Sequence, residues 1–228
     1  MSVALSGLSS MATKHVLADL SRDYAQKTGQ RVSVLSMGGV DAAQRVRAGE
    51  HCDFVVLAAD AIARLEAEGL VVSGSRADIA RSGIAVAVAA GAPAPDISSE
   101  AAVRDAVVKA RAIGFSTGPS GSHLARLFEK WGIAETVKPR LRQAPPGVPV
   151  GALLARGEAD LGFQQLSELI HLDGITLLGP LPAGIQATTT FSGAVCTTSG
   201  RAQETLEWLA FLTSTETTAC KQRHGMSP

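Results

Sequence analysis

Apolar residues along this chain switch repeatedly between two periods. Val3–Leu8 is a short apolar run that ends at Ser9-Ser10. From Ala12 to Lys27 the apolar positions Val16, Leu17, Leu20 and Tyr24 fall on one helical face, and Gly29 supplies a stop. Arg31–Leu35 alternates as a strand does and breaks at Ser36-Met37-Gly38-Gly39. Asp41 suits the cap of a helix that runs through Val46 and ends at Gly49. Asp53 leads into a buried strand, Phe54–Leu57, then a helix over Asp60–Glu68 with Gly69 as its stop. Strand–helix–strand units of this length predict a parallel sheet covered on both faces.

The pattern breaks near Arg81. Ser82–Ala89 reads as a longer apolar strand, followed by the turn Gly91-Ala92-Pro93-Ala94-Pro95. Helix Ser99–Lys109, strand Ala112–Phe115, loop Ser116–Gly121 and helix Ser122–Trp131 come next. Gly151–Arg156 reads as a helix ended by Gly157, Leu161–Gln164 as a short strand, Ala194–Thr197 as strand-like, and Gln203–Leu212 as an amphipathic helix. No internal repeat is visible. The expected class is α/β with mixed, mostly parallel sheets in two lobes: residues 1–80 with 186–228, and residues 81–185. Two crossings between lobes would let them hinge on a ligand.

Charge narrows the functions. Lysine plus arginine and aspartate plus glutamate each number 21, which leaves no electrostatic footprint for nucleic acid or an anionic membrane surface. Aromatic residues, at 4%, are too few for base-stacking platforms. The longest uncharged run, Gly174–Gly200, is interrupted by Gly179-Pro180, Pro182 and Gly184, so membrane insertion is not expected. No secretory leader is visible before the first strand-like run. Cys52, Cys196 and Cys220 form an odd set without a C-x-x-C pair; they read as small core hydrophobes in a reducing compartment. The expected location is cytoplasmic for the chain as it stands and periplasmic if a leader has been removed. A transporter partner is expected only in the exported case.

Four loops follow a strand and lead into a helix: Ser9-Ser10, Ser36–Gly39, Ser116–Ser122 and Pro145–Gly151. In open α/β sheets ligands gather at such strand ends, where helix N-termini offer unpaired N–H groups suited to an anion. Serine caps helices and glycine turns corners everywhere, so one loop alone says little; two per expected lobe point to a cleft for a small anion. Nucleotide loops, a nucleophile elbow and metal-ligand spacing are all missing, and no cofactor or metal is expected. His171 and His224 read as solvent-facing, whereas His123 follows Ser120-Gly121-Ser122 at a helix start, and Lys14 and His15 lie one turn into the first helix.

The stretch P-V-G-A-L-L-A-R-G-E-A-D-L-G-F-Q-Q-L-S-E-L over Pro149–Leu169, together with Ala48-Gly49-(x)3-Asp53-Phe54-Val55-Val56 and Ile113–Ser116 leading to Ser120-Gly121, resembles the type II periplasmic-binding-protein superfamily. Within it the chain is similar to the molybdate-binding-protein-like group, in a carboxylate-handling branch that includes aconitate isomerase. The resemblance implies a two-lobe fold with an oxyanion held by serine hydroxyls and helix amides. It places ligand contacts at Ser9 or Ser10, at Ser36, Met37, Gly38 and Gly39, at Ser120, Gly121 and Ser122, and at Val148, Pro149 and Val150. Where molybdate binders have a tyrosine, this chain has Gln164-Gln165, and a carboxamide suits a carboxylate better than a bare oxyanion. Arg81 is a further candidate as a bidentate carboxylate partner.

Two functions follow. The preferred reading is a binding protein for a small anion, either an organic di- or tricarboxylate or an oxyanion. The alternative is a cofactor-independent isomerase of an unsaturated polycarboxylate, with His123, Lys14 or His15 as the base and loop amides stabilising the enolate. The missing leader favours the isomerase; the lack of an acidic base in any of the four loops favours binding.

Overall fold

A computed structural model of the chain describes residues 3–228. It divides into two compact units, one of residues up to Ser82 with Thr189–Pro228, the other Gly83–Thr188. In chain order the first unit holds β1 (Leu5–Ser10), α1 (Lys14–Thr28), β2 (Val32–Met37), α2 (Gly39–Arg47), β3 (Phe54–Ala58) and α3 (Ala59–Ala67). Strand β4 (Ala77–Ala89) carries the chain into the second unit. There follow α4 (Glu100–Lys109), β5 (Ile113–Phe115), α5 (Pro119–Lys130), α6 (Ala134–Val137), β6 (Leu141–Gln143), α7 (Val150–Ala155), β7 (Leu161–Gln165), α8 (Leu166–Leu169) and β8 (Ile175–Pro180). With β9 (Thr188–Val195) the chain returns, and α9 (Ala202–Thr213) and α10 (Thr218–Arg223) complete the first unit.

β1 is the centre of the first unit's sheet. It pairs in parallel with β2, from Leu5 opposite Val32 to Ser10 opposite Met37, and with β3, Gly7 opposite Phe54. β9 adds to β3 in the antiparallel sense, Val195 opposite Phe54. Parallel neighbours cannot be joined by a hairpin, so α1 and α2 cross over the sheet and bury one stripe each. α1 turns Val16, Leu17, Leu20 and Tyr24 inward and stops where Gly29 takes a φ of 76°. Those side chains share a core with Leu5, Phe54, Trp208 and Leu212, each burial worth about 1.5–3 kcal/mol. Gly7 admits the Phe54 ring: a Cβ there would lie 2.3 Å from it. A second cluster packs Val46, Val55, Ile62 and Leu65 with Cys52 and Cys196.

In the second unit β4 pairs antiparallel with β7, Ile84 opposite Gln165, and with β8, Ala85 opposite Pro180. β5 lies parallel to both β7 and β6. Alternate residues of β4 feed two cores, as the two-residue period of a strand requires. Ile84, Val86 and Val88 join Val107, Leu124 and Phe163, whereas Ala85 and Ala87 join Val150, Leu153 and Leu154. Among the described residues no helix is long and apolar enough to cross a membrane.

Three elements depart from the sequence reading. β1 continues to Ser10 because both serines are buried and stay in the ladder with β2. β4 begins at Ala77 rather than Ser82; exposed Asp78 and Arg81 interrupt its apolar pattern. β8 and β9 both lie in the uncharged run expected to be strand-like only at Ala194–Thr197, because half-exposed threonines blur the alternation there.

Candidate functional site

The last residues of β1 and β2 lie side by side, Ser9 opposite Ser36 and Ser10 opposite Met37. Ser9 is fully buried and its Oγ lies 2.8 Å from Ser36 Oγ. One hydroxyl proton bridges that pair; if Ser36 supplies it, the proton of Ser9 has a long, 3.4 Å contact with the Ser10 carbonyl. Ser10 is 8% exposed, yet among the described residues its Oγ has no hydrogen-bond partner, and it does not cap the turn that follows. Leaving a buried hydroxyl unmet costs about 1–3 kcal/mol.

Gly38 and Gly39 open α2 against this cluster, and a Cβ on Gly39 would stand 3.7 Å from Ser10 Cβ. The α2 amides are the weaker donors here. Asp41 in the first turn folds back so that a Cβ on Gly38 would lie 2.9 Å from its Oδ2, giving this helix end its own negative charge.

The second unit repeats the arrangement at β5–α5. Ser116 Oγ and Ser120 Oγ are 3.1 Å apart, and α5 carries no acidic residue in its first turn. The Ser120 and Gly121 amides sit at helix positions that no intrahelical carbonyl reaches, while the Ser122 amide donates to the Gly118 carbonyl at 3.1 Å. Gly121 is required, since a Cβ there would fall 1.7 Å from the Ser116 carbonyl oxygen.

At the remaining loop the Val148 and Val150 amides are already engaged. The Val148 N–H donates to the Pro145 carbonyl at 3.0 Å, and the Val150 N–H, just after Pro149, donates to Gln164 Oε1 at 2.7 Å. Gln164 is buried, and its Nε2 donates to Glu168 Oε1 at 2.8 Å. Gln165 is buried beside it on β7. Burial pushes the Glu168 carboxyl up to about 7, against the lowering effect of its bond from Gln164. Part of its surface stays accessible. Glu168 was missed by the sequence reading; the available signal was its place one helical turn after the strand-end Gln164.

The structure also places the remaining candidates. His123 Nε2 lies 2.8 Å from the Ile185 carbonyl, which can only accept, so Nε2 carries a proton and donates it. Lys14 and His15 are exposed at the start of α1. Arg81 is exposed, donates from Nε to the Pro228 carbonyl at 3.1 Å, and pairs through its backbone with Ser227.

His224 corrects an expectation. It is 7% exposed rather than solvent-facing, because α10 packs back on α1 and sets its Nε2 3.0 Å from Asp19 Oδ2. Burial works against ionising Asp19, but bonds from His224 and Arg22 hold its carboxyl below the usual range. Asp19, Cys220 and His224 place ligand-type atoms within 4.8 Å of one another, a trio that spacing along the chain could not reveal. The hydrogen bond between them accounts for the closeness of His224 and Asp19.

Comparison with known proteins places this geometry. Residues 5–227 match the model of the bacterial extracellular solute-binding protein family. An aconitate isomerase from Pseudomonas sp is 35% identical over 230 residues, covering 98% of this chain and 87% of that protein. The periplasmic molybdate-binding protein of Azotobacter vinelandii superposes with a TM-score of 0.82 at 18% identity, covering 98% of this chain and 99% of that one. AgtB from A. tumefacien R10, solved with agropinic acid, gives 0.74 at 15%, covering 100% and 84%. The fold is therefore the periplasmic-binding-protein α/β fold that the resemblance implied. With the family match running through nearly every residue, the chain belongs to the bacterial extracellular solute-binding protein family.

Proposed function

We propose that the protein binds a small anion and favours a carboxylate over a bare tetrahedral oxyanion. The observation that carries this reading is the buried Ser10 hydroxyl, without a partner beside the Ser9–Ser36 pair. A ligand oxygen is the acceptor such a hydroxyl lacks, and a hydrogen bond to a charged group contributes about 1.5–3 kcal/mol. Ser116, Ser120 and the first amides of α5 offer donors of the same uncharged kind. The names of the similar proteins support an anion, since molybdate, agropinic acid and aconitate all carry negative charge, and two of the three are organic acids. A membrane transporter that accepts the loaded protein is the partner this reading implies.

Thermal melting with molybdate, citrate, cis-aconitate and trans-aconitate tests it. A ligand at about 100 times its Kd should add roughly 2.7 kcal/mol to the unfolding free energy. No shift with any of the four overturns the reading, and a shift with molybdate alone overturns the carboxylate preference.

A second reading, a cofactor-independent isomerase of an unsaturated polycarboxylate, is supported by two observations. One is the 35% identity to an aconitate isomerase; the other is Glu168, whose carboxyl exchanges its proton near neutral pH. His123 Nδ1 is the alternative base, and exposed Lys14 and His15 rank after it. Aconitate incubated in heavy water should then gain deuterium without added metal, and losing the true base should slow exchange at least about 100-fold. Comparing His123→Ala with Glu168→Gln assigns the role. No exchange with wild-type protein leaves binding as the whole function.

A further inference from the structure

We propose that Cys52 and Cys196 form a disulfide that staples the first unit at the strand ends remote from its serine cluster. The two sulfurs lie 3.3 Å apart across 144 residues of chain, and both side chains are buried in the same apolar cluster. Cys220 belongs to a different cluster.

The backbone around the pair is held from both sides. The Cys196 N–H donates to the Asp53 carbonyl at 2.9 Å, and the Thr198 hydroxyl donates to the Cys52 carbonyl at 3.0 Å. Immediately beyond, Phe54 and Val195 are paired in the β3–β9 ladder. A disulfide needs about 2.05 Å between sulfurs, so closure asks the two sulfurs to approach by little more than an ångström.

The bridge would sit away from the ligand donors. Ser9 is level with Val56 on β3, and Cys52 lies before the start of that strand. At a strand rise near 3.3 Å per residue the separation along the sheet is about 13 Å. The staple therefore ties the entry of β3 to the exit of β9 and leaves the serine end untouched.

Formation requires an oxidant, and a small-molecule or protein disulfide is the class the geometry suits. The Cys52 thiolate attacks one sulfur of the oxidant, forming a mixed disulfide and releasing one thiolate. Cys196, deprotonated in turn, attacks the Cys52 sulfur and expels the second thiolate. Two protein thiols lose two electrons and two protons, and one oxidant disulfide becomes two thiols. The hydrogen bond shared by the pair favours the thiolate on Cys52, while that bond and burial hold Cys196 protonated. Because both sulfurs are buried, exchange proceeds before these strand ends close or while they are locally open.

The test is treatment of the whole purified protein with oxidised glutathione, followed by thiol counting under denaturing conditions, intact mass and peptide mapping. Reduced protein should show its three thiols; oxidised protein should show Cys220 alone. The oxidised chain should be lighter by two hydrogens, without a glutathione adduct, and should yield a Cys52–Cys196 linked peptide. Its melting temperature should rise by roughly 10 °C, as expected for closing so long a loop. C220S should keep that rise, and C52S or C196S should abolish it. Three thiols persisting after oxidation, a link through Cys220, a stable glutathione adduct, or a bridge that leaves melting unchanged would each overturn the proposal. The wild-type thiol count and peptide map decide it even if a serine variant fails to fold. None of these readouts depends on the ligand.

Discussion

In the first unit the strand-end hydroxyls of Ser9, Ser10 and Ser36 keep hydrogen-bonding capacity in reserve. In the second, Val150, Gln164 and Glu168 are linked to one another in a closed series. Both regions have the same local construction, a strand that ends in small or polar residues and hands over to a helix. The difference lies in what the side chains behind the loop do. Around Ser10 no described residue supplies the missing acceptor; behind Val150 a carboxamide spans from backbone to carboxylate and fixes the helix start. The first region is built to receive an acceptor, and the second holds a turn rigid and keeps one titratable proton near neutral pH.

Glycines offer the strongest way to break this comparison. A Cβ on Gly121 would collide with the Ser116 carbonyl at 1.7 Å, and a backbone atom cannot swing aside as a side chain does. Gly121→Ala should therefore lower the unfolding free energy by about 3 kcal/mol or more. Gly39→Ala places its methyl 3.7 Å from Ser10 Cβ, an ordinary contact, and should change stability by no more than about 0.5 kcal/mol. Urea titration of both variants measures this directly. Equal losses would mean that the first unit's loop is as tightly closed as the second's.

Glu168 sharpens the comparison through pH. Its carboxyl titrates near 4.5 when exposed and at about 7 in the fold. Below the lower value both states are protonated; between the two the folded state holds a proton that the unfolded state has lost. Stability from this group is therefore fully present at acid pH and is lost as pH rises from 4.5 through 7. Allowing for its partly accessible surface, the loss amounts to about 2–3 kcal/mol. Glu168→Gln keeps an acceptor for Gln164 Nε2 but carries no charge, so it should remove this slope and stabilise the protein at pH 8. The serine cluster of the first unit has no titrating group, and Ser9→Ala should leave the slope in place. A wild-type profile with no such fall would show that water reaches Glu168 freely.

Much of this was legible in the sequence because it rests on local pattern. The spacing of Val16, Leu17, Leu20 and Tyr24 announced α1, and Ser9, Ser36 and Ser120 stood out because several serine-bearing loops in one chain each follow a strand and lead into a helix. Partnership was not legible. Nothing in the spacing reveals that Gln164 is engaged at both ends, that Arg81 meets the chain's last residue, or that His224 folds back on Asp19. Those contacts depend on residues brought together from distant parts of the chain. Glu168 lay in plain view, but its proton affinity comes from burial, which sequence alone does not report.

The smallest expected effect separates the two regions by sign. Removing a hydroxyl normally costs stability because its bond is lost; removing one that is buried without a partner relieves a penalty instead. Ser120 Oγ is bonded to Ser116 Oγ, so Ser120→Ala should lower the unfolding free energy by about 1 kcal/mol. Ser10 Oγ is buried and unmet, so Ser10→Ala should raise it by about 1 kcal/mol in the absence of ligand. The same substitution should reduce or remove the added stability that a bound carboxylate confers on the wild type. Denaturant titrations of both variants, with and without the best ligand, read all of these changes. If Ser10→Ala were instead destabilising without ligand and neutral with it, the Ser10 hydroxyl would have an internal partner, and the first unit would be as self-satisfied as the second.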